Sequence, residues 1–266
     1  MAQPSLSGSS SQYEDWERQY LDSLGGNPNS ARAKRSRIEK VARRFVRQFF
    51  HPEDFFLRHI SGVVHVGAHA GQECDRYSEH GLKVLWIEPN PRIFQTLTKA
   101  IRNYAGQTAL SYLVADVDNK DCSLHVSSNN GASSSIFDFG AHKDIWPEVT
   151  FTEEIPLKTI TLSSMVAREK VDMSPYDALV MDTQGSELLV LKGATDLLSH
   201  FKFIKTEAAD FEVYKGCCTV KDLDDFLDER GFQRVCKKPF ASKSGVGTCY
   251  DLVYSRESWK KLRNLF

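Results

Sequence analysis

The sequence has no apolar run approaching the roughly 18 residues that cross a bilayer. Residues Met1 to Ser11 are small and polar, without the apolar segment of a secretory signal. Neither sign of charge is in excess. Against 34 Lys and Arg stand 35 Asp and Glu, a net −1, and this excludes a whole-protein basic field for gripping nucleic acid. Cysteine is sparse, with six residues at 74, 122, 217, 218, 236 and 249. None forms a CxxC pair, and the adjacent Cys217 and Cys218 cannot join in an ordinary unstrained disulfide. Reduced thiols in a cytoplasmic protein are therefore expected, not a disulfide framework or a zinc site. No metal site is expected. His65 and His69 are four apart but straddle a strand-to-turn junction, and no third ligand accompanies them. No G-K-[ST] is present, which excludes a P-loop.

What remains is an ordinary globular composition: 266 residues, 26% charged and 41% hydrophobic. Residues 1–29, rich in Ser, Gly, Pro and Asn, read as a disordered leader. Residues 30–52 read as a basic amphipathic helix. Ile38, Val41, Ala42, Phe45, Val46, Phe49 and Phe50 recur at helical spacing, and basic residues fill the other face from Arg32 to Arg47. Its apolar stripe is expected to pack on a core. The alternative is peripheral contact of 32–47 with an anionic membrane surface or an acidic substrate.

From residue 53 to 266 a single domain is expected. Strand patterns at 62–66, 83–88, 109–114, 177–182 and 202–207 alternate with helical patterns at 70–80, 91–104, 183–199 and 220–230. Residues 122–126 alternate like an edge strand, and 232–236 with 248–254 read as a closing antiparallel pair. Repeated β-α units imply an α/β fold with a mainly parallel sheet and helices on both faces. The stretch 127–152 carries few regular signals and reads as a long loop beside the site or an inserted hairpin.

The first strand runs into a glycine turn, Val66-Gly67-Ala68-His69-Ala70-Gly71. Ligands of open parallel sheets bind where strands end and helices begin, and glycine lets the backbone come close to them. A dinucleotide fingerprint needs glycines at 67, 69 and 72, but this chain has His69 and Gln72. Glu88 ends the second strand, placed to accept hydrogen bonds from ribose hydroxyls. The spacing thus suits an adenosine ribose without a pyrophosphate. Asp116 follows the third strand, where an acceptor meets an adenine amino group, and Asp182 ends the fourth at the rim of the cleft.

Four segments resemble the FkbM-type methyltransferases. They are Gly67 to Gly71, Trp86-Ile87-Glu88-Pro89-Asn90-Pro91, Gly131-Ala132-Ser133-Ser134-Ser135, and Met181-Asp182-Thr183-Gln184-Gly185-Ser186-Glu187 continued to Ala194. The resemblance covers roughly residues 60–255. It implies a Rossmann-like class I fold with an antiparallel C-terminal strand, S-adenosyl-L-methionine as cofactor, and O-methylation of a sugar, lipid or small natural product. Carried onto this chain, it implies that His65, Gly67, Ala68, Gly71, Glu88, Asp116 and Asp182 contact the cofactor. The chain departs from the family at His65, where Asp is usual, and at Gln184, where Glu is frequent. Methyl transfer to a hydroxyl needs a base. The candidates are Asp182 and Glu207, then His69 and His142. Ser133, Ser134 and Ser135, with Phe137 and Phe139, are candidates for the acceptor pocket, against a flexible serine loop. The competing functions are methylation of RNA or protein, a non-catalytic AdoMet-binding regulatory protein, and a nicotinamide oxidoreductase. The failed glycine spacing disfavours the last. Oligomeric state is left open.

Overall fold

A computed structural model describes residues 52–257. The expected leader and basic helix fall on residues 1–51, or all but the last residue of the helix, and lie outside the described residues. Residues 52–55 are all that is described of a first unit ending at Phe55; they open a 3-10 helix, Pro52–Arg58. The second unit begins at Phe56.

Its frame is a seven-stranded sheet in the order β3-β2-β1-β7-β8-β10-β9. The strands are β1 Gly62–Val66, β2 Lys83–Ile87, β3 Gln107–Leu110, β7 Ala178–Met181, β8 Phe203–Ala209, β9 Gln233–Lys243 and β10 Gly247–Ser255. The first five are parallel where they pair, and β10 runs antiparallel between β8 and β9. The chain builds outward from β1 to β3, then returns to place β7 against the other side of β1. That reversal makes a crevice at the carboxyl ends of β1 and β7.

Strand alternation sorts the core. Val64, Val66, Leu85, Ile87, Leu179 and Met181 face one layer, while Val63, His65, Val84 and Trp86 take the alternate positions. The first layer is filled by Leu162 and Met165 of α4 (Leu162–Glu169), Val190 and Leu191 of α5 (Glu187–Gly193), and Leu223 and Leu227 of α6 (Val220–Asp228). Each such fully buried side chain contributes roughly 1.5–3 kcal/mol. On the other layer Trp86, Tyr77 of α1 (Cys74–Glu79) and His65 stack together. Two helices begin on clear chemical signals. Asn90 caps α2 (Pro91–Ile101), with Pro91 at its first position. Thr219 and Asp222 form a capping box on α6.

The expected third strand over 109–114 is two strands. The ladder with β2 ends at Leu110, and β4, Leu113–Val114, pairs with β6 in a separate sheet of order β4-β6-β5. The edge strand expected at 122–126 is β5, Asp121–Ser127, at the margin of this small sheet. Its antiparallel partner β6, Phe151–Ile160, is not among the expected strands, nor is α4 among the expected helices. Pro156 interrupts β6's strand signal. It is tolerated because β4 pairs only with Thr159 and Ile160, so Pro156 has a partner strand on one side alone. Between β5 and β6 the chain forms a strap that includes the short α3, His142–Ile145. The helix expected at 70–80 is confined to α1, and turns at 69–70 and 72–73 precede it. No helix among the described residues is long and apolar enough to cross a membrane.

Candidate active site

Strand register assembles the site. Ile87, Val66, Met181, Thr206 and Leu252 lie abreast across β2, β1, β7, β8 and β10. One step beyond come Glu88, Gly67, Asp182 and Glu207, with Asp251 directly opposite Glu207. A row of chemistry-bearing residues thus lines the carboxyl edge of the sheet.

Glu88 is buried, 6% exposed. The main-chain N–H of His69 donates to its Oε2 at 2.9 Å and that of Asn90 to its Oε1 at 2.8 Å. Burial raises its pKa, and the two backbone bonds oppose the rise. Each oxygen keeps a lone pair for a ligand hydroxyl. Around it, Ile93, Leu113, Val114 and Leu124 give the cleft apolar walls, and Val66, Gly67, Asp182, Thr183 and Gln184 line it from the strand ends.

Gly67 has φ of 78°. A Cβ there would lie 1.9 Å from the Asp182 carbonyl oxygen, so its need for glycine comes from the neighbouring strand end. Gly71 likewise answers to packing, since its Cβ would meet Leu97 at 2.8 Å.

The turn after β7 is tightly held. The Glu187 carboxylate, 2% exposed, accepts from the N–H groups of Thr183 at 2.9 Å and Gly185 at 3.2 Å. Gln184 takes the left-handed conformation with φ of 53°. Its amide donates to Asp182 Oδ1 at 2.5 Å, and its Oε1 accepts from the Tyr214 hydroxyl at 2.7 Å. Ser135 donates to its carbonyl at 2.7 Å. Burial pushes the Asp182 carboxyl up to about 7, with the negative charges of Glu187, Glu73 and Asp251 adding to the rise. Burial also lifts Glu207, and its neighbours Asp182 and Asp251 lift it further, well above the usual carboxylate range. A like-charged pair directly opposite across strands is unfavourable, which adds to the rise at Glu207 beside Asp251.

The strap covers the cleft. Gly131, Ala132, Ser134, Ser135 and Ile136 line it. Gln72 donates to His69 Nδ1 at 2.7 Å, which leaves the proton on Nε2 to donate to the Asn130 carbonyl at 2.9 Å. His69 is thus a latch with both nitrogens engaged. His142, 1% exposed, stacks on Phe139 with ring centroids 4.4 Å apart. It is not among the residues that line the cleft.

Of the residues expected from sequence to bind cofactor or act in catalysis, the structure brings Gly67, His69, Glu88 and Asp182 to the cleft lining. Glu207 stands next to Asp182 in the row. His65 points into the layer behind β1, with the Tyr77 hydroxyl 3.2 Å from Nδ1, so it does not line the cleft. The Ala68 N–H is spent on the Ile87 carbonyl at 3.0 Å, and Gly71 is packed on α2. Asp116 lies beyond β4 in a bend, outside the lining, because the third strand breaks before reaching it. Ser134 and Ser135 line the cleft, whereas Phe139 stacks at 3.8 Å on Phe151. Glu187 and Tyr214 were not singled out from sequence. An acidic residue at the first turn of a helix after Gly185 is a readable signal for Glu187. Tyr214, 30 residues on in an irregular loop, carries none.

A doubly wound sheet with a buried carboxylate after β2 and an acidic residue after the strand at the switch point has the form of a Rossmann-like methyltransferase. A family model described as the Methyltransferase FkbM domain matches residues 65–234, more than half of the chain. The chain belongs to the FkbM methyltransferase family, and its cofactor is S-adenosylmethionine. Glu88 and the apolar walls fit the adenosine part of that molecule. Among curated proteins it is similar to the 2-O-methyltransferase NoeI of Sinorhizobium fredii (strain NBRC 101917 / NGR234). The two are 23% identical over 185 residues, 66% of this chain and 74% of that one. Among solved structures it overlaps magnesium protoporphyrin IX methyltransferase from Synechocystis PCC 6803 with bound SAM, at TM-score 0.43 and 13% identity, covering 92% of this chain and 91% of that one. The METTL16 MTase domain overlaps at TM-score 0.46 and 13% identity, covering 79% and 67%. These overlaps are too loose to carry an argument about the acceptor.

Proposed function

We propose that the chain methylates a hydroxyl on a small molecule, glycan or lipid, with Asp182 as the general base. The observation that carries this reading is a carboxylate held near 7 in the row that begins with Glu88. A hydroxyl is a weak nucleophile until its proton is removed, and a base with a pKa near the working pH does this best. The similarity to a 2-O-methyltransferase points the same way.

S-adenosylmethionine supplies an electrophilic methyl group on a sulfonium. Glu88 holds the ribose hydroxyls, and the apolar walls take the base. Asp182 accepts the acceptor's proton, and alignment of the reacting atoms supplies several kcal/mol more. Glu207, lifted by burial and by Asp182 and Asp251, stands at the same edge as the second candidate for proton transfer. All six cysteines are free, in keeping with a reducing compartment such as the cytoplasm.

Calorimetric titration with S-adenosylmethionine, S-adenosylhomocysteine and NADH tests the cofactor assignment. The two sulfur nucleotides should bind, NADH should not, and Glu88→Ala should weaken binding by about tenfold or more. A panel of hydroxylated sugars, glycolipids and small alcohols with labelled cofactor then tests the acceptor class. Label appearing only in RNA or protein, or none in any acceptor despite tight cofactor binding, defeats the reading.

A further inference from the structure

We propose that Tyr214 is a positioning residue that acts on Asp182 through the Gln184 side chain, leaving one carboxylate oxygen, Oδ2, to take the acceptor's proton. The proposal rests on the reading of Asp182 as the base.

Gln184 is clamped at three points. Its carbonyl is held by Ser135, its Oε1 by Tyr214 and its Nε2 by Asp182. The phenol is what makes this clamp directional. A Tyr hydroxyl can donate one hydrogen, and here it has two carbonyl-type acceptors, Gln184 Oε1 at 2.7 Å and the Ser133 carbonyl at 3.2 Å. An amide oxygen that accepts from Tyr214 fixes the amide so that its nitrogen faces Asp182. The N–H then donates to Oδ1, a bond to a charged acceptor strengthened by the bond behind it. Oδ2 has no hydrogen-bond partner among the described residues. The carboxylate is therefore tied at one oxygen and free at the other.

Glutamine suits this post better than glutamate. A second carboxylate beside Asp182 would add like charge to a place already faced by Glu187 of α5, Glu207 of β8, Asp251 of β10 and Glu73 before α1. A neutral amide donates without adding charge. The left-handed backbone at 184 and its glycine neighbour hold the side chain over Asp182. A Cβ at Gly185 would come within 3.2 Å of the Tyr214 ring, so the ring packs directly on the turn it orients.

The test follows the Asp182 carboxyl itself, in protein labelled with 13C at aspartate Cγ, its resonance assigned by loss in Asp182→Asn. Gln184→Met keeps the volume and removes both bonds. It should raise the Asp182 midpoint by about one pH unit, since a hydrogen bond to an ionised group is lost. Tyr214→Phe removes only the hydroxyl and should raise the midpoint by roughly a third of that. Its S-adenosylmethionine affinity should stay within about twofold, since Tyr214 does not line the cleft. Gln184→Glu should raise the midpoint most. An Asp182 titration unmoved in both Gln184→Met and Tyr214→Phe overturns the relay. Retained methyl transfer in Asp182→Asn instead overturns the base assignment, whatever the titration shows.

Discussion

The cleft has two walls of different origin. One is the carboxyl edge of the parallel sheet, where register alone sets Glu88, Gly67, Asp182 and Glu207 in a row. The other is the strap between β5 and β6, held by side chains: the His69 latch on Asn130, the Ser134 hydroxyl oxygen accepting from the Ser127 N–H at 3.1 Å, and rings stacked around Phe139. In the first, each residue's place follows from a backbone ladder that cannot shift without moving every neighbour. In the second, each contact can be lost singly. The sheet wall should therefore fail all at once, and the strap wall by degrees.

The same substitution on both walls gives the largest contrast. Gly67→Ala puts a methyl 1.9 Å from the Asp182 carbonyl in a left-handed residue. Nothing there yields except the strand end, and a loss of roughly 3 kcal/mol or more is expected. Gly131 is also left-handed, at φ of 86°, but its Cβ would meet the tip of Ile93, a flexible side chain, at 2.5 Å. Gly131→Ala should cost about 1–2 kcal/mol. Denaturant melts of the two variants measure this directly. Equal losses would mean that the strap is as rigid as the sheet.

The contrast also explains what could be read beforehand. The glycine turn, Glu88 and Asp182 were legible because sheet position follows from periodicity and spacing, which are local. The order of α/β units gave the parallel frame for the same reason. The placement of Asp116 outside the cleft lining was not legible, because nothing local says that the third strand breaks after Leu110 and hands Leu113 and Val114 to another sheet. β6 failed because Pro156 masks a strand whose second edge is open at that point. The Tyr214 and Ser135 contacts to Gln184 join residues 30 and 49 apart in sequence, and no spacing rule reaches that far.

Each wall has a buried histidine that acid should burden, against the opposite effect of the raised carboxylates Asp182 and Glu207, and one substitution isolates the strap's share. His65 behind the sheet wall and His142 in the strap are both pushed down to about 4, chiefly by burial. The folded state excludes a proton that the unfolded chain takes up below about 6.5. The stability each histidine contributes is therefore full above 6.5, falls as pH drops from 6.5 towards 4, and flattens below that. Each histidine contributes a slope of up to about 1.4 kcal/mol per pH unit in that window. His142 has both ring nitrogens buried without partners, whereas His65 has Tyr77. His142→Phe keeps the stacking and removes the orphaned nitrogens. It should stabilise the protein by about 1 kcal/mol at pH 8 and by more at pH 5. Urea midpoints at the two pH values decide. A variant whose advantage does not grow on acidification would show that His142 is charged, or solvated, in the folded protein.

The smallest effect concerns the latch alone. Gln72 fixes the His69 tautomer by donating to Nδ1, and only with the proton on Nε2 can His69 hold the Asn130 carbonyl. Gln72→Ala leaves every sheet contact in place. Global stability should change by less than about 1 kcal/mol, the value of a single partly exposed hydrogen bond. Local opening is a different quantity, because the strap is fastened contact by contact. Amide exchange should quicken severalfold across 127–135 and stay unchanged in β1, β2 and β7. Uniform exchange in both walls would mean that Ser134 and the aromatic stack hold the strap without the latch. Faster exchange in β1 as well would mean that the two walls open together and that their difference in origin makes no difference in stability.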